Sequence, residues 1–206
     1  MASIIFIILV ALFLINFIVF YNGYQKYKGV PTDDKTGYDA ALETLRKYKL
    51  DNYIIEQRGS FTDNYHYNKK VIKLSSLVFH DNNSYSVVMG YFMAMQAVLD
   101  KEKNSLLKFK KLLEPAYYFC ITLSYFAIIM LAFSNLNIMY PVTLLGFSLI
   151  YQLVFLKNNI DIINRIKRDF KVDDESIKYL YFLDIAFGVI YIKVLIDKLI
   201  ELIRNR

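Results

Sequence analysis

A mostly α-helical membrane protein is the fold class this sequence predicts, and three observations carry the expectation. Hydrophobic residues make up 56% of the 206. Several uncharged apolar runs approach the roughly twenty residues that a helix needs to cross a bilayer. Only seven glycines and three prolines are present to interrupt long helices. Beside membrane spans, the net charge of +6 records loops held in the cytoplasm. No basic-aromatic motif accompanies it, so nucleic acid is not among the expected partners and the lipid bilayer is. The single cysteine, Cys120, lies in an apolar run. It can form no internal disulfide, and four-thiolate zinc chemistry is excluded. Isoleucine, asparagine, lysine and tyrosine are plentiful and tryptophan is absent, a composition associated with AT-rich bacterial genomes.

The first element is a span from Ser3 to Tyr21, interrupted only by Asn16. Nothing basic precedes it and bulky FIVFYNGYQKYKG follows it, so residues 1–22 read as a retained anchor rather than a cleaved signal peptide. Residues 23–115 form the sizeable polar segment. Gly29, Pro31, Thr32 and Asp33 mark a turn. A helix is expected from Tyr38 to Tyr48, opened by the capping box Thr36–Asp39, with Tyr38, Ala41, Leu42, Leu45 and Tyr48 as its apolar face. Asn52–Gln57 and Lys70–Leu74 are short and rich in Ile, Val and Tyr, as strands are. RGSFTDNYHYN between them reads as a loop or hairpin tip.

Asp81–Ser84 then offers N-caps for the stretch SYSVVMGYFMAMQAVLD. That stretch is uncharged from Val87 to Leu99, too short to span a bilayer, and therefore expected to be a buried core helix. KEKNSLLKFKKLLEP follows as a basic amphipathic helix along the headgroups. Residues 116–206 form the membrane region, with candidate spans at 116–134, 138–156 and 179–196. The first two are separated only by Asn135, Leu136 and Asn137, which makes them antiparallel neighbours. Tyr140 and Pro141 open the second of them, where proline costs little. Its helix continues past Lys157, and VDDES caps a last helix from Ile177 to about Ile203. The span within that helix contains Asp184 and Lys193, and its alternative is an amphipathic helix packed on the bundle. Lys and Arg cluster on the side of residues 22–115 and 157–178, so the positive-inside rule puts the polar domain in the cytoplasm and the N-terminus outside.

GSFTDNYHYNKKVIKLSSLVF, followed by an apolar helix containing AMQ, resembles the YugP-like family of membrane zinc metallopeptidases. That family's pattern runs G-x-L-T-D-H-Y-D-P, K-x-V-x-L-S, V-Y and A-A-H-E-x-G-H-A-I-Q. Gly59, Thr62, Asp63 and Tyr65 match the first part. Lys70, Val71, Leu74 and Ser75 match the second, followed by Val78 and Phe79. Ala94, Met95 and Gln96 take the place of A-I-Q and set the register. The layout agrees along nearly the whole chain: an anchor, a small domain, a two-span hairpin and a last helix. The resemblance implies a small α+β zincin-like domain.

In that register the catalytic positions carry no zinc chemistry. Met89 and Met93 stand at the two histidines, Gly90 at the glutamate, and Leu156 at the third ligand of an E-F-N-A-S stretch of which only Asn158 is kept. A hydrolytic zinc site needs two imidazoles at i and i+4, a third ligand and a carboxylate that activates water. No metal, cofactor or catalytic residue is therefore expected.

Other constellations are weaker. His66 and His80 with Asp63 and Asp81 fit polar loops better than a metal site. Met89, Met93 and Met95 suit a filled core better than Cu(I). Cys120 in a span lacks the charged partners that activate a thiol. Asp184 and Lys193 are nine residues apart and nearly opposed on a helix, and the lysine is near enough to an end to snorkel.

The expected function is a catalytically inactive pseudopeptidase of the bacterial membrane, a binding scaffold or adaptor for a membrane-protein client or a protease partner. Lys70, Val71, Ile72, Lys73 and Leu74 would line its substrate groove if they form a sheet edge. The alternatives are an active membrane metallopeptidase with an unrecognised metal site, or a structural or transport subunit.

Overall fold

The computed structural model describes residues 2–32, 35–59, 63–133 and 137–183. The long apolar runs become long helices: α1 (Ala2–Lys28), α5 (Ser105–Phe133) and α6 (Met139–Phe170). Between them lie α2 (Gly37–Lys47), β1 (Ile54–Arg58), β2 (Asn64–His66), β3 (Val71–Ser75), α3 (Ser76–His80) and α4 (Ser84–Lys101). Among the described residues, Ser3–Lys28 and Met139–Phe170 are long and apolar enough to cross a membrane, with mean hydropathies of 3.1 and 1.7. The outward side of α1 presents Ile4, Ile7, Ile8, Leu14 and Ile15, and α6 presents Phe147, Ile150 and Leu153. Such unbroken apolar surface is stable in lipid and costly in water.

The polar segment folds as a small α+β layer. Thr36 caps α2 through a complete capping box with Asp39, which satisfies two otherwise orphaned amides. The three-stranded sheet has the order β1-β3-β2. β1 runs parallel to β3, with Ile54 opposite Val71 and Arg58 opposite Ser75. β2 is antiparallel to β3, with Tyr65 opposite Ile72. The segment expected as a loop or hairpin tip thus holds a third strand, because parallel partners need a crossover and a tight hairpin cannot supply one. The edge expected at Lys70–Leu74 is corrected as well. β3 is the central strand, paired on both sides, and among the described residues the free edges belong to β1 and β2.

The basic segment before the second expected span is not a separate interfacial helix. It runs straight into α5, through Pro115. That proline lies on the exposed side of the helix, where its ring forgoes one backbone hydrogen bond. α5 and α6 pack as neighbours, as the short connection predicts. Past α6, the Asp173 carboxylate accepts from the Glu175 and Ser176 amides at 3.0 and 3.3 Å, and a 3-10 turn at Lys178–Phe182 packs on α1 and α6. Asp184, Lys193 and most of the 179–196 candidate span fall outside the described residues.

Two apolar cores are stacked along the long helices. The larger joins α2, the sheet and α4 with Phe20 and Tyr27 of α1, Ile162, Ile163 and Ile166 of α6, and Tyr179. The smaller joins Leu9 and Phe13 of α1, Tyr117 and Ile121 of α5, and Tyr151 and Phe155 of α6. A polar layer marks their junction. The buried Lys110 ammonium donates to Asn159 Oδ1 at 3.1 Å, Tyr151 donates to the Lys110 carbonyl at 3.3 Å, and Gln152 donates to the Tyr117 hydroxyl at 2.8 Å.

Candidate functional site

α4 is the helix on which every argument about chemistry turns. The Asn83 side chain accepts from the Ser86 amide at 2.9 Å and starts it, and all residues from Tyr85 to Leu99 are buried. A helix apolar all round is stable only when enclosed, and α2, α3, α6 and the sheet enclose this one. Met89 and Met93 lie in the larger core. Gln96, one turn on, donates to the Met93 sulfur at 3.7 Å. Leu156 is half-buried on α6, and Asn158 beside it is fully buried with neither amide atom bonded.

Gly90 is packed against backbone. A β-carbon there would overlap the Gly37 carbonyl oxygen and stand 2.8 Å from the Gly37 carbonyl carbon. A β-carbon on Gly37 would in turn stand 2.5 Å from the Ser86 carbonyl oxygen. The pair of glycines lets the start of α2 lie on α4 at a distance that no other residues permit. A carboxylate at position 90 has no room. The three positions that the resemblance assigns to zinc ligands offer two thioethers and an alkyl group, the base position offers a hydrogen, and zinc does not fit them.

The other residues that carry the resemblance have structural partners. Asp63 is 3% exposed and accepts from the Ser75 amide at 2.6 Å. Burial pushes its carboxyl up to about 6, partly offset by the hydrogen bonds from Ser75. Ser75 in turn caps α3 through Val78. The Tyr65 hydroxyl donates to Asp100 at the end of α4, tying β2 to the core helix. Lys70 adopts a left-handed conformation (φ 52°), and its carbonyl accepts from Ile54 at 3.1 Å where β1 begins.

Of the proposed groove residues, Val71, Ile72 and Leu74 are buried, and Lys73 pairs with Glu56 across the sheet at 3.6 Å. His66 lies on β2, where burial and then the charges of Lys73 and Arg58 lower its pKa. His80 meets Gln57 at 3.1 Å. Among the described residues, no three His, Cys, Asp or Glu side chains converge.

Sequence reasoning missed a cleft of about 520 Å³ between α1, α4 and the end of α6, floored by Val87, Val88, Tyr91 and Phe170. Beside it, Lys35 donates to Glu43 at 2.7 Å and to the Tyr91 hydroxyl at 3.1 Å. Tyr91 donates to Glu43 at 2.6 Å and stacks on Phe170 at 4.2 Å. Burial pushes Glu43 up, but the hydrogen bonds from Lys35 and Tyr91 outweigh it and hold the carboxyl below its usual range. Burial, then the Glu43 bond, pushes the Tyr91 phenol up to about 12. The one sequence signal for this cluster is Tyr91, a polar-tipped aromatic in an otherwise apolar helix. Nothing local points from it to Lys35 or Phe170.

The family model described as "Putative neutral zinc metallopeptidase" matches residues 2–171. No curated protein and no solved structure matches the chain. The match spans the anchor, the sheet, the core helix and α6, the elements just described. This chain belongs to that zinc metallopeptidase family.

Proposed function

We propose that the chain is a catalytically inactive pseudopeptidase of the membrane, acting as a binding scaffold or adaptor for membrane proteins. The observation that carries this reading is the Gly37–Gly90 contact. A single missing ligand can be replaced by water or by a neighbouring side chain. Backbone packed into the place of the general base cannot. Met89 and Met93 support the same reading, since adaptable thioethers fill the core where imidazoles would otherwise converge. What remains is a folded domain held at the bilayer by α1, α5 and α6. We place that domain in the cytoplasm of a bacterial cell, on the basic residues Lys26, Lys28, Lys108, Lys111 and Lys157 near the apolar stretches.

Metal analysis of the purified full-length protein tests the reading. Far less than one zinc per chain and no cleavage of unfolded casein are expected. One tightly held zinc per chain, removed by chelator with loss of cleavage, would overturn the reading in favour of an active peptidase with its metal elsewhere.

A further inference from the structure

We infer that the cleft between α1, α4 and the end of α6 binds an extended juxtamembrane segment of a client membrane protein. This deepens the scaffold reading and rests on it. The cleft uses the α4 face bearing Ser84, Val88 and Tyr91. At 100° per residue, that face is opposite the one bearing Met89 and Met93. The binding surface is thus not the emptied catalytic face.

Depth argues for the occupant. On α1 the exposed apolar side chains end at Tyr21, and on α6 they end at Ile160. At 1.5 Å per residue, Tyr27 lies about 9 Å beyond the first and Phe170 about 15 Å beyond the second. Both line the cleft. A lipid acyl chain reaching that far would leave the hydrocarbon for the polar headgroup layer, at a cost for every methylene exposed. A polypeptide leaving the bilayer crosses the gap in about three to five extended residues.

The lining fits a peptide. Val87, Val88, Tyr91 and Phe170 form a floor for a branched aliphatic side chain. The first turn of α4 and the last turn of α6 both border the cleft, so a positive and a negative helix end flank the ligand. The Ser84, Ser86 and Val87 amides are already bonded to Val30 and Asn83, so the start of α4 contributes its dipole rather than free donors. Lys35 is already held by Glu43 and Tyr91, and the exposed Lys171 and Asp173 at the rim present one charge of each sign.

The test places a photoreactive benzophenone residue at Lys171 in the full-length membrane-embedded protein, with a control at Arg58 on the outer edge of the sheet. The expected adducts at Lys171 map to partner residues just outside a membrane span and exceed those at Arg58 by roughly fivefold or more. Val88→Asp, and the milder rim change Val172→Asp, are each expected to lower them about tenfold, the loss of one apolar anchor. Adducts confined to phospholipid or to this chain, or unchanged by Val172→Asp in a protein that remains folded, overturn the cleft. Membrane-protein adducts from Arg58 but not from Lys171 overturn the cleft and leave the scaffold reading standing. None from either position overturns both.

Discussion

Gly37 and Gly90 meet backbone to helix, with the Gly37 carbonyl group occupying the space where any side chain at position 90 would begin. The contact joins the capped start of α2 to the middle of α4. It makes a packing joint of the position that the resemblance assigns to a catalytic glutamate.

Gly90→Ala is therefore expected to destabilise the protein although alanine is the better helix former. Separating α2 from α4 costs about 1–3 kcal/mol or more, against roughly 1 kcal/mol of gained propensity. Urea unfolding of the detergent-solubilised protein measures the balance. A stabilised Gly90→Ala variant would mean that the two helices are not in contact.

Asp63 predicts an unusual pH dependence. Its folded-state pKa of about 6 lies above the ordinary 3.8, so the folded protein holds the proton more tightly than the unfolded chain. The contribution favours folding fully below pH 4, falls as pH rises from about 4 to about 6, and stays lost above that. The difference amounts to roughly 3 kcal/mol. Asp39, Asp169 and Asp174 are shifted the other way, so wild type alone does not isolate the effect. Asp63→Asn keeps an oxygen for the Ser75 amide and removes the charge. The variant is expected to gain on wild type as pH rises from 4 to 6.5 in paired urea titrations, and a constant difference would refute the assignment.

Asn158 and Asn159 are neighbours with opposite expected responses. Asn159 accepts from the buried Lys110 ammonium, and Asn159→Ala removes one charge-assisted hydrogen bond at a cost of about 1.5–3 kcal/mol. Asn158 is buried with both amide atoms unbonded, and Asn158→Ala is expected to be neutral or to stabilise. Thermal unfolding of the two variants side by side decides it. A larger loss at Asn158 would show that its amide makes a hydrogen bond after all.

Much of the fold is legible because local signals agree with the tertiary structure. The Thr36–Asp39 box, the Asn83 cap and the uncharged run from Val87 to Leu99 each specify their element without distant help. The sheet was less legible. Strands at Asn52–Gln57 and Lys70–Leu74 carry the expected residue types, but nothing in either says that they run parallel. Nor does the three-residue β2 look like a strand, since its pairing is supplied by β3. The joint at Gly90 was invisible for another reason. A glycine in an apolar helix reads as a missing side chain, and only the position of Gly37, more than fifty residues earlier, makes it a contact. The cleft is assembled from three separated stretches of sequence, residues 27–35, 84–91 and 170–176, which no periodicity can bring together.

The larger core has a consequence for the order in which the chain can fold. Phe20 and Tyr27 enter that core near the beginning of the chain, while Ile166 and Tyr179 complete it near the end of the described residues. Tyr27 stacks on Tyr179 with ring centroids 5.8 Å apart, across nearly the whole described length. During synthesis the sheet and α4 emerge long before α6 exists, and they then lack one wall. The domain keeps part of its apolar interior open until α6 has been made and packs against it. Completion of this core is thus tied to the late part of the chain, and a fragment ending before α6 exposes apolar surface that the whole protein buries.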